Sequence, residues 1–293
     1  MNRLRKVKGS LLMELLVVCG LLAVLLPLLV IAISRMQERH FLAQTYQDQH
    51  IMKAAIDAHL KSQWERLRPA GCRLDESLNV TIDSGMSPPM RLVTRVIDKY
   101  SDWLHGADFG LCRSSVTVKT NPMDSAMNCH WKAGDKANFS SCESNFKGEV
   151  LSVSAQKARI KLEDDLAIGQ SGVLESEEGF YWYITDGKEG WNALWRTPAE
   201  SGNSLELWNG IERMAIFPLL DNNLDGLADT LETRYGHFPL HKVRGLWVEY
   251  QYRLGDCIAD RDTELLQEYH SMRGEKWHYY SPCQSVGNQI IVL

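Results

Sequence analysis

The chain has 293 residues, 24% of them charged and 44% hydrophobic, with a formal charge of −5. That length suits one large domain or two small ones, and one elaborate domain is the expectation. Four cations, Arg3, Arg5, Lys6 and Lys8, fall in the first eight residues, so the remainder carries −9; an acidic body argues against nucleic acid as a partner, which needs clustered Lys and Arg against phosphate, and no direct contact with it is expected.

Residues 1–9 form a short basic leader. From Leu15 to Ser34 there are 20 residues without charge, and at about 1.5 Å of rise each a helix of them spans roughly the 30 Å hydrocarbon core of a bilayer. The leading cations keep the N-terminus cytoplasmic and place the body across the membrane. Glu14 interrupts an apolar stretch that begins at Leu11. An acid at the centre of a membrane helix costs about 2.5–3.5 kcal/mol, and a plain anchor gains nothing from it. A cleaved secretory signal is a competing reading, because Ala32-Ile33-Ser34 has the small-x-small form of a signal-peptidase site, but its apolar region would be too long. Pro27 lacks a backbone donor and predicts a bend or local melting inside the span.

The segment KGSLLMELLVV resembles the class III signal of type IV prepilins: a basic leader, a glycine at the cut, a glutamate as fifth residue of the mature chain, and an immediate apolar helix. The resemblance implies a cut between Gly9 and Ser10 by a prepilin peptidase, methylation of the new N-terminus, and Glu14 as the residue that sets filament register. Ser10 stands where phenylalanine is commonest in that family. The implied division is a leader at 1–9 and a transmembrane, filament-core helix at 10–34.

Beyond it, Phe41, Thr45, Met52, Ile56, Leu60, Trp64 and Leu67 recur at helical spacing, which predicts an amphipathic continuation over 35–68, stopped by Pro69-Ala70-Gly71 and lying against a sheet. The globular body is then 69–293. Cys72, Cys112, Cys129, Cys142, Cys257 and Cys283 are even in number, follow a membrane segment and contain no CxxC pair, so they read as up to three disulfides formed in an oxidising compartment. Pairing of chain neighbours is expected, with Cys257 to Cys283 closing a C-terminal loop; Cys19 lies in the apolar run. Between Cys72 and Cys142, clusters of Gly, Pro, Ser and Asn predict a loop-rich region stapled to the core. From Gly148 onward the runs VLSVSA, ARIKL, FYWYIT, LELW, ERMAIF, GLWVEYQY and QIIVL predict an antiparallel sheet whose aromatics, Trp182, Tyr183 and Trp191 among them, form core.

Asp221 to Glu232, DNNLDGLADTLE, fits the calcium-loop pattern D-x-[DN]-x-[DN]-G-x5-E. Asp221, Asn223 and Asp225 supply alternating oxygens, Leu227 its carbonyl, Asp229 a contact through water and Glu232 two oxygens, an all-oxygen set that makes calcium the candidate ligand; a solvated acidic turn is the plainer alternative. Because ERMAIFPLL reads as a strand, any such site is a loop site. Nucleophile elbows, HExxH and phosphate loops are absent from the sequence, and GQSG at Gly169–Gly172 lacks the GxSxG spacing, so no enzyme is expected.

The order FYWYIT, ALWR, LELWNGIERMAIFPLL, an acidic glycine loop and VRGLWVEYQYR resembles the PilW-like minor pilins, over about half the chain once the N-terminus is included. That resemblance implies an α+β pilin-like fold, with a long N-terminal membrane-spanning helix packed on an antiparallel β-sheet and a disulfide-stapled loop-rich region. It implies a single-pass inner-membrane protein with a periplasmic body that moves into the pilus tip. The implied role is in priming type IV pilus assembly, supporting adhesion, motility or DNA uptake. Its implied partners are the prepilin peptidase, the major pilin, other minor pilins and the inner-membrane assembly platform, with a tip adhesin as a further candidate. Two alternatives stand: a minor pseudopilin of a type II secretion system, which ordinarily lacks the acidic loop, and a membrane-anchored calcium-dependent binding module.

Overall fold

The computed structural model describes residues 10–71, 76–126, 129–255, 257 and 265–293. It has one long N-terminal apolar helix followed by antiparallel sheets, an α+β chain that is mostly strand. Helix α1 (Ser10–Trp64) is continuous through Pro27, so the melting expected there does not interrupt it. A proline removes one backbone bond of the turn, and the flanking bonds hold it. Contacts divide the chain after His50 into an N-terminal unit and a second unit, Ile51–Leu293. The last turns of α1, from Ile51 to Trp64, belong to the second unit. After Trp64 a single 3-10 turn, Glu65–Leu67, ends the helical run, and Arg68 is extended, as a residue before proline prefers.

Two strands, β1 (Asn79–Ser84) and β2 (Asp102–Asp108), open the main sheet. The chain then leaves it and builds β3 (Arg113–Thr117), β4 (Met123–Ala126), β5 (Lys136–Ser140), β6 (Asn145–Val153), β7 (Lys157–Leu162) and β8 (Ser171–Ser176). These form their own sheet in the order β3-β8-β5-β6-β7-β4, and the edge strands approach through Ser114 and Ser125, whose hydroxyls lie 3.3 Å apart. Its core is Phe139, Val150, Ile160, Leu162 and Leu174. Next comes β9 (Glu178–Asp186), which pairs directly with β2, so residues 109–177 are an insertion between two adjacent strands of the main sheet. The chain continues as β10 (Asn192–Pro198), β11 (Leu205–Asn209), β12 (Ile211–Leu220), β13 (Thr230–Leu231), β14 (Gly236–Pro239) and β15 (Val243–Arg253). The hairpin β16 (Leu265–His270) and β17 (Lys276–Ser281) precedes β18 (Gln284–Val292). The main sheet runs β11-β10-β9-β2-β1-β14, and another runs β13-β12-β15-β18.

The region 72–142, expected to be loop-rich, thus supplies two strands of the main sheet and three of the inserted one. Its strands RSSVT, MDSA and KANFS are short and carry Ser, Asn and Asp, which hides the period-2 signal. The strand runs expected from Gly148 onward are all found as strands, but they divide among three sheets rather than one. Trp182 and Tyr183 are core as expected, whereas Trp191 remains 39% exposed. Cys257 pairs with Cys283, and Cys112 pairs with Cys129, which overturns the successive scheme in which Cys129 would join Cys142. Cys142 is also disulfide-bonded; Cys72 lies outside the described residues.

Ile56, Leu60, Trp64 and Leu67 sit in one core with Ile82, Leu104 and Trp182 of the main sheet and Ile216, Val248 and Tyr250 of the β12-β15-β18 sheet. Phe41, assigned to the same face, is 41% exposed. Gly106 on β2 admits Leu67: a Cβ there would lie 2.7 Å from Leu67 Cδ2. Trp64→Ala is expected to lower the unfolding free energy of the full chain in detergent by about 3–5 kcal/mol, the range for emptying a buried aromatic site, read from urea titration.

Candidate functional site

The first candidate is the N-terminal segment. Side chains from Met13 to Ile33 are exposed around the whole helix, with Leu16 at 67% and Leu28 at 59%. This single N-terminal helix is long and apolar enough to cross a membrane. A helix apolar on every side finds its stable environment in lipid or among other helices. Ser10 is its first residue, and Gly9 lies outside the described residues. Glu14 falls one helical turn after Ser10 and is the only acid between Ser10 and Gln37, so a turn's separation places the implied N-terminus and the carboxylate on neighbouring parts of one face.

The second candidate is the acidic loop, which links β12 to β13. Its ends are tied by Asp221 N to the Lys242 carbonyl at 2.8 Å, Asp229 N to the Leu220 carbonyl at 2.8 Å and Glu232 N to the Pro218 carbonyl at 3.0 Å. The Asp221 carboxylate is fully covered. Its Oδ2 accepts from Arg244 Nε at 2.7 Å and from the Gly226 amide at 2.8 Å, and its Oδ1 from the Asp225 amide at 3.2 Å. Covering pulls this carboxyl's pKa up, but Arg244 and the Gly226 and Leu224 amides outweigh that and hold it below the ordinary carboxylate value. Asn223 Oδ1 accepts from the Asp225 amide, Asp225 Oδ1 from the Leu227 amide, and Asp229 Oδ2 from the Asn222 amide at 2.7 Å. Gly226 has φ +96°, the left-handed turn the pattern reserves for glycine.

Glu232 points elsewhere: both its oxygens hold Arg234, at 3.0 and 2.9 Å, and hydrogen bonds from the Arg234 side chain and amide push its carboxyl down to about 2. Leu227 is an exposed side chain at the loop tip. Calcium takes six to eight oxygens, and here the loop oxygens are turned onto the loop's own amides and onto Arg244 and Arg234. Among the described residues no group of three His, Cys, Asp or Glu side chains is arranged to hold a metal ion. In this arrangement Glu232 is paired with Arg234, and calcium ligation by it would require that exposed pair to open.

Sequence reasoning missed a set of buried carboxylates that no motif marks. Asp102 on β2 receives Arg273 Nη1 on both oxygens at 2.9 and 2.8 Å, the Tyr235 hydroxyl at 2.9 Å and the Ile216 amide at 2.8 Å. Glu249 on β15 is fully covered and accepts from Tyr269, Ser271 and the Met272 amide, which fastens the β16-β17 hairpin. Each lies in a strand whose apolar neighbours dominate the local pattern, so only tertiary partners reveal it. Compared with known proteins, the chain matches no family model, no curated protein and no solved structure.

Two outcomes test these networks. Arg273→Met removes the guanidinium that holds both oxygens of buried Asp102 and is expected to cost about 3–5 kcal/mol, measured by urea unfolding. Asp221 titrates lower in the folded chain than its unfolded value of about 3.9, so its contribution is present above that pH and lost as the pH falls through the folded value. The stability gap between wild type and Arg244→Met is therefore expected to be widest above about pH 4 and to narrow below it.

Proposed function

We propose that the chain is a minor pilin of the PilW-like kind, made as a prepilin, held in the inner membrane by α1, and then built into a type IV pilus as part of its priming or tip complex. One observation carries this reading: a Gly9–Ser10 junction behind a basic leader, Glu14 as the one acid from Ser10 to Gln37, and a helix that starts apolar and continues unbroken to Trp64, whose last turns are core of an antiparallel body. Disulfides at Cys112–Cys129 and Cys257–Cys283 agree with a body outside the cytoplasm.

In this role the prepilin peptidase frees the amine of Ser10. Glu14 of one subunit pairs with the N-terminal amine of its neighbour inside the apolar filament core. The pair adds little net stability once its desolvation is counted, but any other axial stagger leaves a buried charge without a partner, so it selects register. The body stays outside the helical core and contacts the major pilin and other minor pilins. The acidic loop takes part as a self-bonded turn, and the reading makes no use of calcium.

Intact-mass measurement of the membrane-extracted protein, with and without prepilin peptidase, is expected to show residues 1–9 removed only when the enzyme is present. Glu14→Leu is expected to be cut normally yet fall at least about tenfold in the sheared filament fraction, which corresponds to about 1.4 kcal/mol of lost assembly energy. Cleavage after Ser34, or no cleavage, would remove the pilin reading. Normal pili in a deletion strain, with failed export of folded proteins, would assign the chain to a type II secretion filament instead.

A further inference from the structure

Outside the helix and the acidic loop, one cleft of about 390 Å³ gathers side chains that neither feature uses. It lies where the loop before β2, the β9–β10 turn, the start of β12 and the end of β15 meet, and it falls within the size range of small-ligand sites. Two rings line it, Tyr100 at 58% exposure and Trp191 at 39%. Trp191 differs in this from Trp182 and Trp277, which are buried.

The polar lining is fixed in place before any ligand arrives. Asn192 Nδ2 bridges Asp98 Oδ2 at 3.3 Å and the Glu212 carbonyl at 3.1 Å, and the Tyr100 amide donates to Asp98 Oδ1 at 2.8 Å. Gln251 Nε2 donates to Glu212 Oε2 at 3.1 Å. Both arginines are paired within the protein, and Asp98 is held by neutral amides. Arg253 pairs with Glu212 at 2.6 Å and stacks on Trp191, its guanidinium carbon 4.0 Å from the ring centroid. Arg213 donates to the Tyr100 carbonyl at 2.8 Å and pairs with Glu275. A phosphate or carboxylate ligand would find both arginines already engaged. An apolar ligand would face carboxylates and amides that it cannot satisfy.

Exposed rings beside ordered amide and carboxylate groups, with both arginines engaged by acids of the protein, suit a ligand that has one C–H face and a rim of hydroxyls. The geometry points to a saccharide-binding cleft, in which Tyr100 and Trp191 stack against a neutral sugar ring while Asp98, Asn192 and Gln251 exchange hydrogen bonds with its hydroxyls. The other large cleft, on the inserted sheet, is lined by Lys136, Lys147 and Lys161 alternating with Glu149, Glu163 and Glu177, and has no ring to select a ligand. The inference is independent of the pilin reading, because it needs neither cleavage nor filament assembly. It would give a surface-displayed body a glycan to hold.

The experiment titrates the full-length protein, in a detergent without a sugar headgroup, with lactose, maltose, mannobiose and di-N-acetylchitobiose, following tryptophan fluorescence and calorimetric heat. At least one of the four is expected to saturate in the range of about 0.1–10 mM. Trp191→Ala and Tyr100→Ala are each expected to weaken that binding at least about tenfold, with the near-ultraviolet dichroism of the remaining core retained. Trp191→Phe, which keeps a stacking face, is expected to recover part of the loss. The proposal is overturned if none of the four saturates by about 50 mM, if binding is indifferent to Trp191→Ala, or if an Arg-rich peptide saturates the cleft and no sugar does.

Discussion

Four side chains at the end of the helical run, Ile56, Leu60, Trp64 and Leu67, hold the second unit together, because they are the apolar surface that two separate sheets share. Neither sheet is closed on itself, and each has one face that water would penalise. The helix end fills the space between them, and all four residues are at most 2% exposed. Polar contacts then fix its orientation. The Tyr250 hydroxyl donates to Asp57 on α1, and Gly287 on β18 is the neighbour that leaves room for this ring, since a Cβ there would lie 2.4 Å from Tyr250 Cζ. A side chain on β18 would push Tyr250 off the helix.

The same helix end explains how a 69-residue insertion can sit between β2 and β9 without opening the main sheet. Leu104 and Trp182 face each other across that pair and both reach the core, so burial fixes the register of the main sheet across the root of the insertion. The insertion has its own apolar centre and is fastened at its root by buried acids. Asp108 meets Arg66 at 3.1 Å and Arg196 at 3.4 Å; Glu175 meets Arg113 at 2.6 Å and the Ala70 amide at 2.8 Å. Such pairs contribute specificity more than stability, because desolvation offsets most of the attraction. Their geometry accepts only one arrangement of the strand ends relative to the turn after α1.

Much of this was legible in the sequence wherever the pattern was apolar and regular. The charge-free run to Ser34, the helical spacing of Ile56, Leu60 and Trp64, and the strands FYWYIT and GLWVEYQY all appear as expected. Legibility failed where strands were built from small polar residues. Ser114, Ser115, Ser125, Asn138 and Ser140 belong to strands whose faces are made by partners far along the chain, so no local period betrays them. Cysteine pairing was legible in part: Cys257 joins Cys283 as expected. Cys112 and Cys129, 17 residues apart, flank the β3–β4 segment, and the fold of the insertion brings them to a Cα distance of 5.5 Å.

The acidic loop marks the limit of reading chemistry from a local pattern. Every fixed position of the calcium-loop pattern is present from Asp221 to Glu232, and the turn at Gly226 is the one the pattern requires. What the oxygens do is decided by two arginines. Arg244, on β15, lies outside the pattern and completes the shell of Asp221; Arg234, two residues beyond its end, takes both oxygens of Glu232. A divalent ion offers these carboxylates strong attraction, but so does a guanidinium that is tethered to the same fold and therefore present at high effective concentration. Competition between a tethered cation and a diffusing one, rather than the identity of the six pattern residues, sets the chemistry of such a loop.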